Sequence, residues 1–329
     1  MENLLELKDL YVRYNVKSSF YDMISGKKRK HVHAVNGVDF EIGKGEIFSL
    51  VGESGSGKTT VGRAILGLLD RNQVIGNILF NGKDILNAGR QGLKQYRLNA
   101  QMIFQDPYQS LDPKNTIFQI VSEPLIVNNI TNNKNELYER VIAALNQAGM
   151  EPVKDIINRY PHELSGGQRQ RVAIAGAMVL NPSFIVADEP VSMLDVSIRA
   201  DILKLMVELR DKNNVSYLFI THDLSLAWVM SDRIAIMYLG KILEMGGSDE
   251  VIKSPVNPYS KALIEAIPRI GAKSGKDNVR IYGEIPDPIN LPEGCVFYSR
   301  CPYAKDICRK EEPVLKEIMK NHFAACHLQ

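Results

Sequence analysis

Residues 52–60 constrain the fold of this chain more than any other stretch. Their sequence is GESGSGKTT, which matches the pattern G-x-x-x-x-G-K-[ST]. The apolar residues before the loop, 47–51, are typical of a buried strand, and residues 61–69 have the periodicity of a helix. A strand, a glycine loop and a helix in this order predict the phosphate-binding loop of an α/β protein.

The loop has the chemistry of an anion site. Glycines let successive backbone N–H groups converge on phosphate oxygens, and the positive end of the following helix dipole adds to the attraction. Lys58 can reach the β- and γ-phosphates of a nucleotide, and the hydroxyl of Thr59 can bind Mg²⁺. The residues of the loop predicted to contact nucleotide are Gly52, Ser54, Gly55, Gly57, Lys58, Thr59 and Thr60.

Charge and hydropathy restrict where the chain acts. Its 329 residues carry a formal net charge of +2, so no strong basic field points to nucleic acid. No apolar run approaches the roughly 18–20 residues that a membrane-spanning helix needs. Residues 1–6 lack the pattern of a secretory signal. We therefore expect a cytoplasmic protein that reaches a membrane only through a partner.

The order of strands and helices predicts a doubly wound sheet with a helical insertion. Residues 3–14 predict an edge strand, residues 15–33 an inserted loop, and residues 116–180 a mostly helical region. Further β and α patterns follow at 184–187, 196–212, 216–221 and 234–238. Such alternation places ligand groups at the carboxyl ends of parallel strands.

The C-terminal part has a different composition. From residue 254 onward prolines are frequent, which predicts a separate extension with little regular structure. All four cysteines lie there: Cys295, Cys301, Cys308 and Cys326. Cytosolic thiols are normally reduced, so this cluster favours a metal over disulfides. Four thiolates can bind a [4Fe–4S] cluster or a tetrahedral Zn²⁺, and free or oxidised thiols are the alternative.

A second glycine motif lies between the loop and an acidic strand end. It is LSGGQ at residues 164–168. Ser165 can cap the helix that follows, and the amides of Gly166 and Gly167 lie at its N-terminus beside Gln168, which predicts a second anion site. With all these motifs in order, residues 3 to about 250 resemble the ATP-binding-cassette (ABC) ATPases.

The resemblance implies a fold and an assembly. The fold is an α/β P-loop NTPase (RecA-like) core with an antiparallel β subdomain and a helical subdomain at about 106–180, within an ABC domain of residues 1–253. In this family the loop of one subunit and the LSGGQ peptide of its partner enclose one ATP. A dimer is therefore implied, with each nucleotide shared between two subunits.

The resemblance also assigns roles to single residues. Tyr14 resembles the aromatic residue that stacks on adenine, and its alternative role is that of a core aromatic in the first strand. Gln105 resembles the Q-loop residue that senses Mg²⁺, and Asp188 the Walker B aspartate that orients it. Asp195 ends a segment, 192–195, that is similar to the D-loop.

The catalytic residues follow in the same way. Glu189 resembles the carboxylate that polarises the attacking water, and His222 the switch histidine that contacts the γ-phosphate. With Lys58 these are the predicted catalytic residues of phosphoryl transfer to water.

The C-terminal residues, 254–329, resemble the C-terminal domain of the oligopeptide/dipeptide branch of importer ATPases. The match is best at GCVFYSRCP, residues 294–302. This resemblance favours the [4Fe–4S] cluster over Zn²⁺. The insertion at 15–33 and the sequence DEPVSMLD at 188–195 are more similar to the second, F-type, of the two paired ATPases than to the first, D-type.

The branch implies partners. They are a paired ATPase subunit in a heterodimer, with a homodimer as the alternative, two membrane permease subunits, and indirectly an extracellular substrate-binding protein. The chain is then expected at the cytoplasmic face of the membrane. Oligopeptides or dipeptides are the expected cargo, with nickel or oligosaccharides as alternatives within the same branch.

Two functions outside transport are also open to this sequence. A soluble ABC ATPase of translation carries two cassettes, whereas this chain has one glycine-loop motif. In ABC ATPases of DNA repair, a long coiled coil separates the two nucleotide-binding motifs. Here the corresponding residues, Lys58 and Asp188, are only about 130 residues apart, and no sustained heptad pattern lies between them. A redox or nucleotide sensor is disfavoured because Glu189 and His222 indicate a hydrolytic site.

Overall fold

The computed structural model describes residues 2–16, 30–267, 281 and 283–329. The chain divides into two compact units. We call residues 3–42, 47–88 and 220–329 the P-loop unit, and residues 1–2, 43–46 and 89–219 the helical unit. Most of the predicted insertion at 15–33 lies outside the described residues; at its base the backbone N–H of Val16 donates to the carbonyl of Lys30 at 3.0 Å.

The P-loop unit holds most of the strands. They are β1 (Asn3–Asn15), β2 (His31–Gly43), β3 (Ile47–Val51), β4 (Val74–Phe80), β5 (Lys83–Asp84), β9 (Arg233–Tyr238), β10 (Lys241–Gly247), β11 (Lys316–Met319) and β12 (His322–Ala324). Its helices are α1 (Lys58–Ile65), α9 (Leu224–Met230), α10 (Ser248–Lys253), α11 (Pro258–Glu265) and α12 (Asp306–Lys310), with 3₁₀ turns at Arg71–Gln73 and Tyr298–Arg300.

An antiparallel sheet in this unit has the strand order β2-β1-β4-β5. Leu5 of β1 lies opposite Phe80 of β4, and the predicted Asn81-Gly82 turn joins β4 to β5 with φ values of 48° and 74°. The prediction that residues 3–14 form an edge strand is wrong, because β1 lies between β2 and β4. Its second neighbour comes from a distant part of the chain, which the alternation of residues 3–14 does not reveal.

The parallel strands of this unit carry the loop. β3 pairs in parallel with β9, which places Val51 opposite Ile236, and every residue of β3 is buried. β9 then pairs antiparallel with β10, β10 with β12, and β12 with β11. Val51, Ile236 and Tyr238 belong to one apolar core with the C-terminal residue Phe297.

The helical unit contains the region predicted to be helical. Its helices are α2 (Gly89–Asn99), α3 (Pro107–Ser110), α4 (Ile117–Val127), α5 (Lys134–Gln147), α6 (Val153–Ile156), α7 (Gly166–Met178) and α8 (Val196–Asn213), with a 3₁₀ turn at Pro161–Glu163. Its strands β6 (Ala100–Ile103) and β7 (Phe184–Asp188) pair in parallel. Strand β8 (Ser216–Thr221) begins in this unit and ends in the P-loop unit.

Local signals explain several helix ends in the helical unit. The side chain of Thr116 accepts from the backbone N–H of Gln119 and forms a capping box at the start of α4. The side chain of Asn133 caps α5 by accepting from the backbone N–H groups of Asn135 and Glu136. Gly149, the predicted stop after α5, has a φ of +69°, the left-handed conformation that ends helices.

Among the described residues, no helix combines the length and the apolar character needed to cross a bilayer. The described residues after 254 contain more regular structure than their prolines predict. Pro258 is the first residue of α11, where its missing N–H costs nothing, and the side chain of Asn257 caps the helix. The β11–β12 hairpin extends the sheet through β10.

Candidate nucleotide-binding site

The loop after β3 requires glycine at specific positions. Gly55 and Gly57 have φ values of +80° and +103°, a region that favours glycine. A Cβ at Gly52 would lie 2.1 Å from the carbonyl oxygen of Met237, and a Cβ at Gly57 would lie 2.2 Å from that of Ala34. The neighbouring backbone of β9 and β2 thus leaves no room for side chains at these two positions.

Lys58 brings a cation into the loop. It is the first residue of α1 and is only 5% exposed. Its Nζ donates to the carbonyl oxygens of Gly52 at 2.8 Å and Glu53 at 2.9 Å, and to Oγ of Ser56 at 3.3 Å. Gly57, the N-cap of α1, offers no capping side chain, so the positive end of the helix dipole adjoins the loop. An ammonium group and a helix N-terminus in one glycine loop fit the phosphates of a nucleotide.

The other predicted residues of the loop lie at its tip and on α1. Ser54 is exposed at the tip, while Thr59 and Thr60 are half-buried in the first turn of the helix. The hydroxyl of Thr59 is a hard oxygen donor of the type that Mg²⁺ prefers.

Gln105, Asp188 and Glu189, three of the residues predicted to act on Mg²⁺ or on the attacking water, belong to the helical unit. Asp188 is the last residue of β7 and is 4% exposed. Glu189 follows it with a φ of +46°, a conformation that is costly for a residue with a side chain. The side-chain amide of Gln105 donates to Oε2 of Glu189 at 3.1 Å. The structure therefore brings Gln105 and Glu189 into contact next to the buried Asp188.

The LSGGQ motif begins α7, as predicted. The hydroxyl of Ser165 accepts from the backbone N–H of Gln168 at 3.3 Å, and the Gln168 side chain accepts from the Ser165 N–H at 3.0 Å. This reciprocal capping box fixes the start of the helix. A Cβ at Gly167 would lie 2.7 Å from Cγ2 of Ile198, so glycine permits close packing of α7 and α8. Gly166 is half-exposed at the helix start.

The segment 192–195 turns into α8. Asp195 is exposed and is the N-cap position of α8. Arg199 holds the turn, because its guanidinium donates to the carbonyl oxygens of Leu194 at 2.7 Å and Ser192 at 3.3 Å.

The last two predicted residues lie in the P-loop unit. His222 is exposed directly after β8, and the next residue, Asp223, caps α9 by accepting from the N–H of Ser225 at 2.9 Å. Tyr14 is half-buried near the end of β1. Lys58 and His222 thus belong to one unit, and Asp188 and Glu189 to the other.

Known families account for this set of motifs. The ABC transporter family matches residues 35–192, and the family described as Oligopeptide/dipeptide transporter, C-terminal region, matches residues 243–308. The oligopeptide transport ATP-binding protein AppF of Bacillus subtilis (strain 168) is 45% identical over 331 residues, which cover 99% of this chain and 98% of AppF. The chain belongs to the ABC transporter ATP-binding proteins.

Other relatives of this ABC protein agree. The di/tripeptide transport ATP-binding protein DppF of Pseudomonas aeruginosa (strain UCBPP-PA14) is 40% identical over 327 residues, covering 99% of this chain and 98% of DppF. The solved structure of CbiO1 from Clostridium perfringens, part of the ABC transporter complex CbiONQ, is 29% identical with a TM-score of 0.65, over 82% of this chain and 98% of CbiO1. A dimeric post-hydrolysis structure of the ATP-binding cassette MJ0796 with ADP and Pi is 28% identical with a TM-score of 0.63, over 74% and 98% of the two chains.

These comparisons confirm three predictions. The α/β P-loop fold, the ABC family and its oligopeptide/dipeptide branch all agree with the matched families and relatives. This ABC protein is an ATPase whose ATP hydrolysis is coupled to transport.

The prediction of a [4Fe–4S] cluster, or of Zn²⁺ in its place, is wrong. The described part of the ABC protein includes all four cysteines, and in it no three His, Cys, Asp or Glu side chains form a group that could hold a metal ion. The cysteines are free thiols. Burial raises the pKa of Cys295 to about 11, and burial also raises the pKa of Cys301 and of Cys326. Burial thus favours the neutral form of these three thiols.

The structure adds contacts of the loop that the sequence did not predict. Nη1 of Arg300 lies 3.1 Å from Oε1 of Glu53, although the two residues are 247 positions apart. The backbone N–H of Glu53 donates to the hydroxyl of Tyr259 at 3.3 Å. No local pattern could reveal these contacts, because each partner lies in a different part of the chain.

Proposed function

We propose that this ABC protein hydrolyses ATP to drive the import of oligopeptides or dipeptides. The observation that carries the proposal is the full-length similarity to AppF, which is named an oligopeptide transport ATP-binding protein and matches 99% of this chain at 45% identity. The match of residues 243–308 to the C-terminal region of oligopeptide/dipeptide transporters supports the same substrate class. Nickel and oligosaccharides, the other cargoes of the branch, are outcomes of the test below.

The proposed assembly has two ATPase subunits beneath two membrane permease subunits. The dimeric form of the related cassette MJ0796 supports the pairing, and the membership of CbiO1 in an ABC transporter complex supports the association with further subunits. The second ATPase is a different chain in this proposal, and an extracellular binding protein delivers the peptide. The protein then lies at the cytoplasmic face of the membrane, with residues 1–253 as the ATPase domain and 254–329 as a C-terminal domain.

Nucleotide binding is assigned to the residues that the sequence predicts for it. Lys58 and the amides of the glycine loop hold the β- and γ-phosphates, and Tyr14 stacks on adenine. The residues that would hold Mg²⁺ are Thr59, Gln105 and Asp188, whose side chains supply the oxygen donors this ion prefers. When bound, Mg²⁺ neutralises the charge that develops on the phosphates. The LSGGQ residues Ser165, Gly166, Gly167 and Gln168 face the loop of the partner subunit, with Asp195 near this interface.

Hydrolysis is assigned to Glu189 and His222. The carboxylate of Glu189 orients the attacking water and accepts its proton, and the contact from the Gln105 amide at 3.1 Å supports a defined orientation of this carboxylate. His222 donates a hydrogen bond to the γ-phosphate oxygens, where Lys58 offsets their charge. The chain's own residues thus position the reactants and stabilise charge, which is the main requirement of phosphoryl transfer.

Uptake in cells tests the substrate class. A strain without this chain is complemented with the wild type, with Glu189→Gln, or with Arg63→Ala, an exposed position on α1 that serves as the control. Uptake of labelled dipeptide, longer peptide, nickel and oligosaccharide is measured in each strain. We expect peptide uptake to require the wild type or the control variant. Loss of nickel or oligosaccharide uptake alone, with normal peptide uptake, would contradict the proposal.

A further inference from the structure

Glu53, the second residue of the GESGSGKTT loop, is held by residues of the C-terminal part. Its two carboxylate oxygens lie 3.1 and 3.2 Å from Nη1 of Arg300. Its backbone N–H donates to the hydroxyl of Tyr259 at 3.3 Å. Both contacts come from beyond residue 254 and lie within the P-loop unit. The C-terminal residues therefore fix a position inside the phosphate-binding loop.

Contacts with aromatic residues hold the side chain of Arg300 in position. It ends the 3₁₀ turn Tyr298–Arg300, and its Nη1 also donates to the hydroxyl of Tyr238 at 3.3 Å. The guanidinium carbon lies 5.6 Å from the centroid of the Tyr238 ring, within cation–π distance. The buried ring of Phe297 packs 5.4 Å from that of Tyr238 and 5.2 Å from that of Tyr259. Aromatic packing thus sets the position of the guanidinium independently of the loop.

The Arg300–Glu53 ion pair is largely buried, and this burial raises the cost of removing either partner. The side chains of Arg300 and Glu53 are 11% and 26% exposed. Fully exposed ion pairs contribute little, but removing one partner of a shielded pair leaves the other charge uncompensated. An uncompensated Glu53 carboxylate in this loop would repel the phosphates of a nucleotide.

Glu53 also connects directly to the loop lysine. Its carbonyl oxygen accepts from Nζ of Lys58 at 2.9 Å and from the backbone N–H of Ser56 at 3.2 Å. Movement of Glu53 therefore moves an acceptor of Lys58 and the backbone that would surround a phosphate.

We propose that Arg300 is a positioning residue of the nucleotide site. By pairing with Glu53, it holds the loop in its phosphate-binding shape and neutralises an acidic side chain beside the phosphates. The inference rests on the proposed nucleotide site and adds to it, because it gives the C-terminal residues a role in ATP affinity.

A double-mutant cycle on the full chain tests the pairing. The dissociation constant of a fluorescent ATP analogue is measured for the wild type, Arg300→Gln, Glu53→Gln and the double variant, together with kcat and KM for ATP. We expect Arg300→Gln to raise Kd and KM about tenfold while kcat at saturating ATP changes less than about twofold. In the Glu53→Gln background the same substitution should change Kd less than about twofold, because no carboxylate remains to be neutralised.

Further variants separate positioning from a purely structural role. Arg300→Lys keeps a cation but lacks Nη1, the atom that contacts Glu53, so it should recover part of the affinity and bind nucleotide more tightly than Arg300→Gln. Arg309→Gln, an exposed arginine on α12, is the matched control and should bind like the wild type. Arg300→Met keeps the aliphatic stem and replaces Arg300→Gln if that variant does not fold, with the same expected Kd.

Each result has a definite meaning. If the neutral variants at Arg300 bind nucleotide like the wild type and lose only thermal stability, the residue is structural and the inference is overturned. Equal effects in the wild-type and Glu53→Gln backgrounds would also overturn it. A wild type that neither binds nor hydrolyses ATP would instead contradict the proposed function.

Discussion

The sequence predicts a ligand both for the glycine loop and for the cysteine-containing segment, residues 295–326, and the prediction of a metal in the second is wrong. In the loop, a Cβ at Gly57 would lie 2.2 Å from a carbonyl oxygen, so the spacing reflects the backbone itself. In the cysteine-containing segment, burial raises the pKa of Cys295 to about 11, and no metal-holding group forms among the described residues. A site made by backbone amides can be predicted from the sequence pattern, whereas a site made by side chains also depends on how those side chains are placed in space.

The largest effect should come from removing the loop cation. Lys58 is only 5% exposed, and its ammonium group donates a hydrogen bond to the carbonyl oxygen of Gly52 in the loop. Lys58→Ala removes this ammonium group. We expect ATP hydrolysis to fall at least about 100-fold, because the charge opposite the γ-phosphate is lost. Arg63→Ala, on the exposed face of the same helix, is the control in a steady-state ATPase assay. Hydrolysis by Lys58→Ala at the rate of the control would show that the loop does not hold the nucleotide.

A smaller effect should distinguish alanine substitutions at two glycines of the loop, which we expect to lower the unfolding free energy by different amounts. Both Gly55 and Gly57 have positive φ, but a Cβ at Gly55 meets no atom within 4 Å, whereas one at Gly57 meets Ala34 O at 2.2 Å. Gly55→Ala should cost about 1–2 kcal/mol of unfolding free energy from backbone strain alone. Gly57→Ala should cost about 1–3 kcal/mol more because of the overlap.

Denaturant unfolding of the two glycine variants measures this difference. Equal unfolding free energies would mean that the loop does not hold the backbone in the described conformation. The ratio of their ATP affinities provides a second check, because only Gly57→Ala displaces the start of α1.

The smallest effect concerns the thiols. With its pKa raised to about 11, the Cys295 thiol stays neutral near pH 8 and becomes a thiolate only as the pH approaches 11. Alkylation of Cys295 by iodoacetamide should therefore rise about tenfold from pH 9 to pH 10 in the folded protein. In urea the thiol has its ordinary pKa of about 8.5, so its rate should change little over that interval. Peptide mapping by mass spectrometry distinguishes the two profiles, and identical profiles would refute the effect of burial.

Features of the fold that depend on residues close together in the chain can be predicted from the sequence. The strand at 216–221 and the end of α5 at Gly149 follow from apolar runs and from the conformational freedom of glycine, and both occur as predicted. The helix after the loop begins at Lys58 rather than at 61, because the loop itself forms its first turn. The neighbours of β1 and the pairing of Arg300 with Glu53 depend on contacts between distant segments, which no periodicity contains.

The central proposal is that this subunit hydrolyses ATP through Glu189. The most direct measurement compares the wild type with Glu189→Gln in the assembly purified through a tag on this chain, using equilibrium ATP binding and steady-state phosphate release. We predict that the variant binds ATP within about threefold of the wild-type affinity and that its turnover falls about 100-fold, because the base is lost while the phosphate contacts remain. Phosphate release by Glu189→Gln at the wild-type rate would contradict the account.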